Sequence, residues 1–101
     1  MPDRHTVREL KHNNGQLLAR IEQIDGKPHG LYQEWSLEGT LAVEAHFKDG
    51  QHHGEYKSWW GNGKLKEEGT YQNGQRVGRY RWYKVDGDFW GEHDYGTPPA
   101  P

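Results

Sequence analysis

The side chains best suited to metal binding lie near the middle of the chain. His46, His52 and His53 are close together in sequence, and Glu44 and Glu55 flank them. Imidazole and carboxylate groups can ligate zinc, but such a site needs three or four converging ligands, and no ligand motif is present. We therefore predict a polar strand face here, with no metal and no cofactor. Because histidine titrates near neutral pH, a pH-responsive interface is the alternative for these residues.

The chain offers little for covalent catalysis. It contains no cysteine, and only Ser36 and Ser58 could act as serine nucleophiles. Neither serine lies in a Gly-x-Ser-x-Gly turn. Residues 61–64 read Gly-Asn-Gly-Lys but lack the rest of a phosphate-loop signature, so we interpret them as a turn. We predict that the protein is not an enzyme and has no catalytic residues.

Charge and hydropathy exclude two classes of partner. The 13 Lys and Arg nearly balance the 15 Asp and Glu, and the two signs are interleaved along the chain. Nucleic-acid binding normally requires a basic excess, so no nucleic-acid partner is expected. No apolar run follows Met1, and no stretch is long enough to span a bilayer. We therefore predict a cytoplasmic protein without a signal peptide, for which a membrane partner is not expected.

Glycine and aromatic residues recur with a period of 24 residues, which indicates a repeat protein. The expected units are 15–38, 39–62 and 63–86, followed by a half unit at 87–95. Residues 4–12 are expected to form a degenerate opening strand, so that 1–95 make one domain and 96–101 a disordered tail. The positions that define the repeat structurally are Gly26, Gly30, Gly50, Gly54, Gly74, Gly78, Tyr32, Tyr56 and Tyr80.

The turn signals predict an all-β fold. Asp25-Gly26, Asp49-Gly50 and Asn73-Gly74 favour two-residue type I′ hairpin turns, which need positive φ at both central residues. Strands between such closely spaced turns must be short, antiparallel and sequentially adjacent. We predict an extended antiparallel meander of tandem β-hairpins with seven or eight strands. The glycines inside the strands, such as Gly54, are expected to permit a bend or the close approach of a ring.

Alternation along the second hairpin predicts two different sheet faces. A regular register around Asp49-Gly50 pairs Phe47 with His52, Ala45 with Gly54, Val43 with Tyr56, and Leu41 with Ser58. One face is then apolar and aromatic, with Tyr32, Tyr56 and Tyr80 as core residues of successive hairpins. The other face is polar, and the period places Trp35, Trp59 and Tyr83 on it.

The repeat resembles a known family. The units contain Gly-Lys-Pro-His-Gly-Leu-Tyr (26–32), Gly-Gln-His-His-Gly-Glu-Tyr (50–56) and Gly-Gln-Arg-Val-Gly-Arg-Tyr (74–80), each followed by a further aromatic residue and a turn glycine. This pattern is similar to the MORN-repeat variant over about residues 13–95. Bacterial proteins of this kind include the YwqK family of antitoxins. The resemblance implies an antitoxin or immunity protein whose partner is a bacterial toxin, whereas ordinary MORN repeats imply scaffolding, dimerisation or lipid association.

The polar face supplies the expected partner-binding residues. Trp, Tyr and Arg are the residue types enriched in interface hot spots, and we predict that Trp35, Trp59, Tyr83, Arg79 and Arg81 contact the partner. The alternative is that the aromatic residues pack within the sheet. A second hypothesis starts from the basic row Arg76, Arg79, Arg81 and Lys84, which could meet acidic lipid in a self-associating scaffold. Sheet edges left open could also join two copies in a homodimer.

Overall fold

The computed structural model describes residues 4–97, and within this range the chain forms one antiparallel sheet without a helix. Successive strands are neighbours, except that the two-residue β5 and then β6 follow one another as a single interrupted strand beside β4. The sheet therefore has eight strand positions, and the predicted all-β meander is confirmed. The strands are β1 (His5–Lys11), β2 (Leu17–Ile24), β3 (Lys27–Trp35), β4 (Leu41–Lys48), β5 (Gln51–His52), β6 (Gly54–Trp59), β7 (Leu65–Gln72), β8 (Gln75–Tyr83) and β9 (Phe89–Asp94).

The two-residue hairpin turns form as predicted. Asp25, Asp49 and Asn73 each have a φ of 51°, and the glycines that follow them also have positive φ. Aspartate and asparagine are among the few residues other than glycine that tolerate this region. Each turn also contacts the preceding hairpin, because the Gly50 N–H donates to the Pro28 carbonyl and the Gly74 N–H to the His52 carbonyl, both at 2.9 Å. The turn sequence therefore sets the hairpin and also ties it to its neighbour.

The glycines inside the strands mark bulges. Gly30, Gly54 and Gly78 have φ values of 104°, 107° and 65°, a region that favours glycine. Phe47 pairs with His52 as predicted, but Val43 pairs with Ser58 rather than with Tyr56. The regular register predicted beyond His52 is therefore wrong, including the pairs Ala45–Gly54 and Leu41–Ser58. The slip is by two residues, so Val43, Tyr56 and Ser58 share one face as predicted, whereas Leu41 pairs with Trp35 beyond a further bulge.

A second series of irregularities follows the same repeat. In each case the register shifts between the last two residues of a strand. The four places are Leu10/Lys11, Glu34/Trp35, Ser58/Trp59 and Trp82/Tyr83. An extra residue on the opposing strand is left without a cross-strand partner there. In the last pair this residue is Trp90, because Trp82 pairs with Gly91 and Tyr83 with Phe89.

The described part of the chain is a single layer. Its principal extents are 46 × 44 × 13 Å, and 13 Å leaves no room for a second sheet, since packed sheets lie about 10 Å apart. The fully buried hydrophobic residues are accordingly few, namely Ala19, Ala45, Val77 and Tyr80. Within residues 4–97 no helix that could cross a membrane is found. Both faces of the sheet are therefore surfaces.

The two outer strands differ from the interior ones. Within the described range β1 pairs only with β2, and β9 pairs only with β8. Every residue of β1 is exposed. β1 falls inside the interval 4–12 expected as an opening strand. Of the predicted tail, Gly96 accepts a hydrogen bond from the Gly78 N–H at 2.8 Å, whereas residues 98–101 lie outside the described part.

Candidate functional site

One face carries a ladder of aromatic rings, here called the aromatic face. The rings of Tyr32 and Phe47 meet edge to face at 5.7 Å, those of Tyr56 and Tyr71 at 5.6 Å, and those of Tyr71 and Tyr80 at 6.0 Å. Such T-shaped contacts suit the charge distribution of aromatic rings. The ladder connects successive hairpins. Of the three tyrosines expected as core residues, Tyr80 is fully buried, whereas Tyr32 and Tyr56 are half-buried.

Arg76 holds the C-terminal part of the ladder together. Its Nε donates to the Tyr71 hydroxyl at 3.2 Å, and its Nη1 donates to the Tyr95 hydroxyl at 3.0 Å. Its guanidinium carbon lies 4.4 Å from the centre of the Tyr80 ring, a cation–π contact. The hydrogen bond to Tyr71 contributes most to raising the pKa of Arg76. Arg76 is therefore fixed by three tyrosines and points away from the other basic residues.

Burial in this ladder perturbs the tyrosine hydroxyls. It raises the pKa of Tyr32 and of Tyr56 to about 12, and the neighbouring carboxylates Glu34 and Glu67 add to the effect. The Tyr32 hydroxyl donates to Glu34 Oε1 at 2.7 Å. The pKa of Tyr80 also rises, mainly because the side chain is buried. These hydroxyls stay protonated at neutral pH; the Tyr32 hydroxyl uses its proton to donate to Glu34, whereas the buried Tyr80 hydroxyl has no hydrogen-bond partner within residues 4–97.

The opposite face is charged, and we call it the charged face. Glu55, Lys57, Glu68, Arg79 and Arg81 line a shallow groove of ≈ 150 Å³. Both signs alternate across neighbouring strands, as in a solvated sheet surface. The basic row predicted from the sequence does not exist as one row, because Arg76 belongs to the aromatic face.

The predicted partner-binding residues border this charged face. Trp35 and Trp59, and likewise Trp59 and Tyr83, are separated by one intervening strand, which spaces them by about 10 Å. Arg79 and Arg81 are exposed, whereas the three aromatic residues are half-buried. Trp35 pairs with Leu41, and Trp59 with Leu65, so part of each indole packs within the sheet.

Tyr83 is more constrained than the two tryptophans. Its hydroxyl donates to Glu68 Oε2 at 2.6 Å, and this bond contributes most to raising the pKa of Tyr83. Its ring contacts Phe89 at 5.9 Å between centroids. Arg81 stands beside it, with Nε 3.4 Å from Glu92 Oε2. The structure therefore brings Tyr83 and Arg81 together, with acidic side chains next to both.

The histidine cluster divides between different roles. His52 lies in the ladder, with its ring 4.3 Å from Phe47 and 4.8 Å from Tyr71 between centroids, and burial lowers its pKa. The His53 N–H donates to the His46 carbonyl at 2.8 Å, which closes the bulge. Within residues 4–97 no three metal-ligating side chains gather closely enough to hold a metal ion.

The sequence reading missed an exposed apolar patch beside β9. Trp90 is 69% exposed, Phe89 55% and Val85 57%. Trp82, Trp90, Gly91 and Glu92 enclose a cleft of ≈ 380 Å³ at the same edge. The signal was present, because the repeat places Leu18, Ala42 and Lys66 at the positions equivalent to Trp90. A tryptophan is therefore a departure from the repeat at this position.

Comparison with known proteins supports the repeat and adds little about activity. The family model of the MORN repeat variant matches residues 28–49 and 53–73. No curated protein matches the sequence. Among solved structures, the chain is similar to part of the crystal structure of accessory secretory protein 1,2 and 3 in Streptococcus pneumoniae. The identity is 17% and the TM-score 0.49, over 88% of this chain and 17% of that chain. The chain thus carries two matches to the MORN repeat variant, one across β3 and β4 and one across β6 and β7.

Proposed function

We propose that this chain is a protein-binding module that acts as an antitoxin or immunity protein, and that it neutralises a bacterial toxin by covering it. The observation that carries the proposal is the single-layer sheet, which exposes two broad faces on a preformed scaffold. A standard interface needs about 800 Å² from each partner, and a face 46 by 44 Å across offers more. Because the scaffold is ordered before binding, little of its backbone conformational entropy is lost when a partner docks.

The charged face is the proposed contact surface. Trp35, Trp59 and Tyr83 present half-exposed rings along its border, and Arg79 and Arg81 lie in its groove. Rings that are already held on one side by the sheet lose little freedom on binding, which favours them as anchors. The mixture of charges around them would select a partner by complementarity rather than by bulk charge. The toxin is inferred from the resemblance of the repeat to the YwqK antitoxins.

The first experiment is affinity capture from the native host with the tagged chain, followed by mass spectrometry and growth rescue. A stoichiometric partner that arrests growth when expressed alone, and no longer does so when this chain is co-expressed, is the expected result. Capture of the chain alone, or growth arrest that the chain does not relieve, would count against the antitoxin role.

Variants then test the surface. Trp59→Ala should weaken binding of the captured partner about thirtyfold or more, because truncated hot-spot aromatics cost at least about 2 kcal/mol. Val85→Ala is the control, because Val85 is exposed in a loop and is not one of the three proposed anchors Trp35, Trp59 and Tyr83. Circular dichroism confirms that both variants are folded. If the two variants bind the partner with equal affinity, Trp59 is not part of the interface, and the antitoxin role itself is unaffected by that result.

The second candidate is a structural scaffold that self-associates or touches a membrane. It is favoured by the exposed apolar residues Phe89 and Trp90 at one sheet edge. Size-exclusion chromatography and co-sedimentation with phosphatidylserine vesicles distinguish the two candidates. A chain that is monomeric and does not sediment with the vesicles excludes the scaffold function. A chain that forms oligomers or binds vesicles, and captures no protein partner, supports the scaffold function over the antitoxin function.

A further inference from the structure

The edge of the sheet at β9 combines three features that occur together nowhere else in residues 4–97. It is an outer strand, its Gly91 follows Trp90 and pairs with Trp82 of β8, and the acidic residues Glu92 and Asp94 come after that glycine. An outer strand presents unpaired backbone N–H and C=O groups, which are a template for another strand. Neither the repeat nor the charged face accounts for this arrangement.

The cleft is built by the position of Gly91. Gly91 pairs with Trp82, and Trp90 is the extra residue of the bulge beside it. Apart from its neighbours Trp90 and Glu92, no residue has an atom within 4 Å of where a Gly91 Cβ would be, so the floor of the cleft is open. The volume of ≈ 380 Å³ falls within the range of small ligand sites, about 300–1,000 Å³. A side chain from an added strand opposite Gly91 would enter between the two indoles.

The charges of β9 restrict the sequence of such a strand. Glu92 and Asp94 point to the face opposite Gly91, because side chains alternate along a strand. Glu92 pairs with Arg81, with 3.4 Å between Glu92 Oε2 and Arg81 Nε, and Asp94 pairs with Arg79. Glu92 and Asp94 are both exposed, although Asp94 Oδ1 also accepts from the Gly96 N–H at 2.8 Å, and cross-strand neighbours of opposite charge are favourable beside them.

We propose that β9 is a docking edge for an extended peptide segment of a partner protein, which adds as an antiparallel strand. The segment carries a large apolar residue opposite Gly91 and basic residues opposite Glu92 and Asp94. Main-chain hydrogen bonds supply affinity in this mode of recognition, and pockets for alternate side chains supply specificity. The edge adjoins the charged face, because Glu92 and Asp94 pair with Arg81 and Arg79, but it includes neither Trp35 nor Trp59, so peptide binding at β9 tests it separately from the antitoxin proposal.

The probe is a capped peptide, Thr-Lys-Thr-Lys-Phe-Thr, titrated to millimolar concentration into the ¹⁵N-labelled chain. The expected result is saturable shifts of the Gly91 and Glu92 amides. A peptide with glutamate in place of both lysines, and one with alanine in place of phenylalanine, should each bind about tenfold more weakly. A peptide N-methylated on the amides that face β9 should not bind.

Gly91→Val provides the matched protein variant. The added Cβ meets no atom within 4 Å outside the two neighbouring residues, and valine favours strands, so we expect the fold to be kept while the cleft is filled. It should weaken peptide binding about tenfold or more, whereas Leu37→Ala, an exposed position in the loop between β3 and β4, should leave it unchanged. The proposal is overturned if no peptide binds, if Gly91→Val binds as well as the wild type, or if the shifts map to β1. It is likewise overturned if the chain alone forms a dimer that Gly91→Val abolishes, because a second copy would then occupy the edge.

Discussion

Replacing Gly69 with alanine tests the packing of the aromatic ladder. Gly69 lies in β7, and the ring of the fully buried Tyr80 lies directly over it. A Cβ on Gly69 would be 2.7 Å from Cγ of Tyr80, and closer still to Cδ2 and Cε2. The ring has little room to yield, because Arg76 and Tyr71 hold it from the other sides. The substitution therefore overfills the best-packed point of the sheet.

The cost follows from two opposing effects. Overpacking a tight site costs about 1–3 kcal/mol. Alanine restricts the unfolded chain more than glycine does, which returns about 0.4–1 kcal/mol. We expect Gly69→Ala to lower the free energy of unfolding by about 1–2 kcal/mol. Each 1 kcal/mol lowers the Tm of a domain of this size by about 4–8 °C.

Urea unfolding followed by tryptophan fluorescence measures this cost by linear extrapolation. Gly91→Ala is the control, because Gly91 is also in a strand, yet nothing lies within 4 Å of its added Cβ. The free energy of unfolding of Gly91→Ala should equal or exceed that of the wild type. If Gly69→Ala is as stable as Gly91→Ala, the close contact between Tyr80 and β7 is not a feature of the folded protein.

Three further outcomes follow from the same contacts. Asp49→Val should destabilise the protein by about 1–2 kcal/mol, because a β-branched residue is strained at a φ of 51°, whereas Asp49→Asn should be neutral in the same thermal melt. Because the folded pKa of Tyr56 is raised to about 12, stability should be constant below pH 10 and fall between pH 10 and 12. Tyr56→Phe should reduce that fall in a urea series across pH. Because burial lowers the pKa of His52, stability should fall as the pH drops below about 6.5, the usual histidine value. His52→Phe should remove that dependence, and an unchanged acid profile in this variant would contradict it.

The turns could be predicted because their cause is local. A type I′ turn depends on two adjacent residues, and Asp49-Gly50 has the required pair. The strand register could not be predicted to the same extent. Gly54 signals a bend, but the two-residue slip beside it also depends on how β4 closes against His53. The assignment of faces survived because a slip of two keeps the alternation.

The candidate site was predictable in position and less so in detail. Alternation placed Trp35 and Trp59 away from the tyrosines, but the bulge that pairs Trp35 with Leu41 has no sequence signature of its own. From the sequence, Arg76 was grouped with Arg79 because both are basic. The two residues are three positions apart, however, and strict alternation along a strand places such residues on opposite faces of the sheet. The role of Gly69 is visible only in three dimensions, since its repeat equivalent Ala45 is small as well but does have a Cβ, and the sequence does not show that a ring lies over Gly69.

The meander has a consequence for how the chain folds. Every strand pairs with its neighbours in sequence, and all paired residues lie within one repeat length of each other. Low contact order of this kind makes folding fast compared with all-β proteins that join distant strands, such as sandwiches. A hairpin that forms first can act as a template for the next on either side, as in other repeat arrays. During synthesis on the ribosome, the N-terminal hairpins could therefore assemble before the last strand has been made.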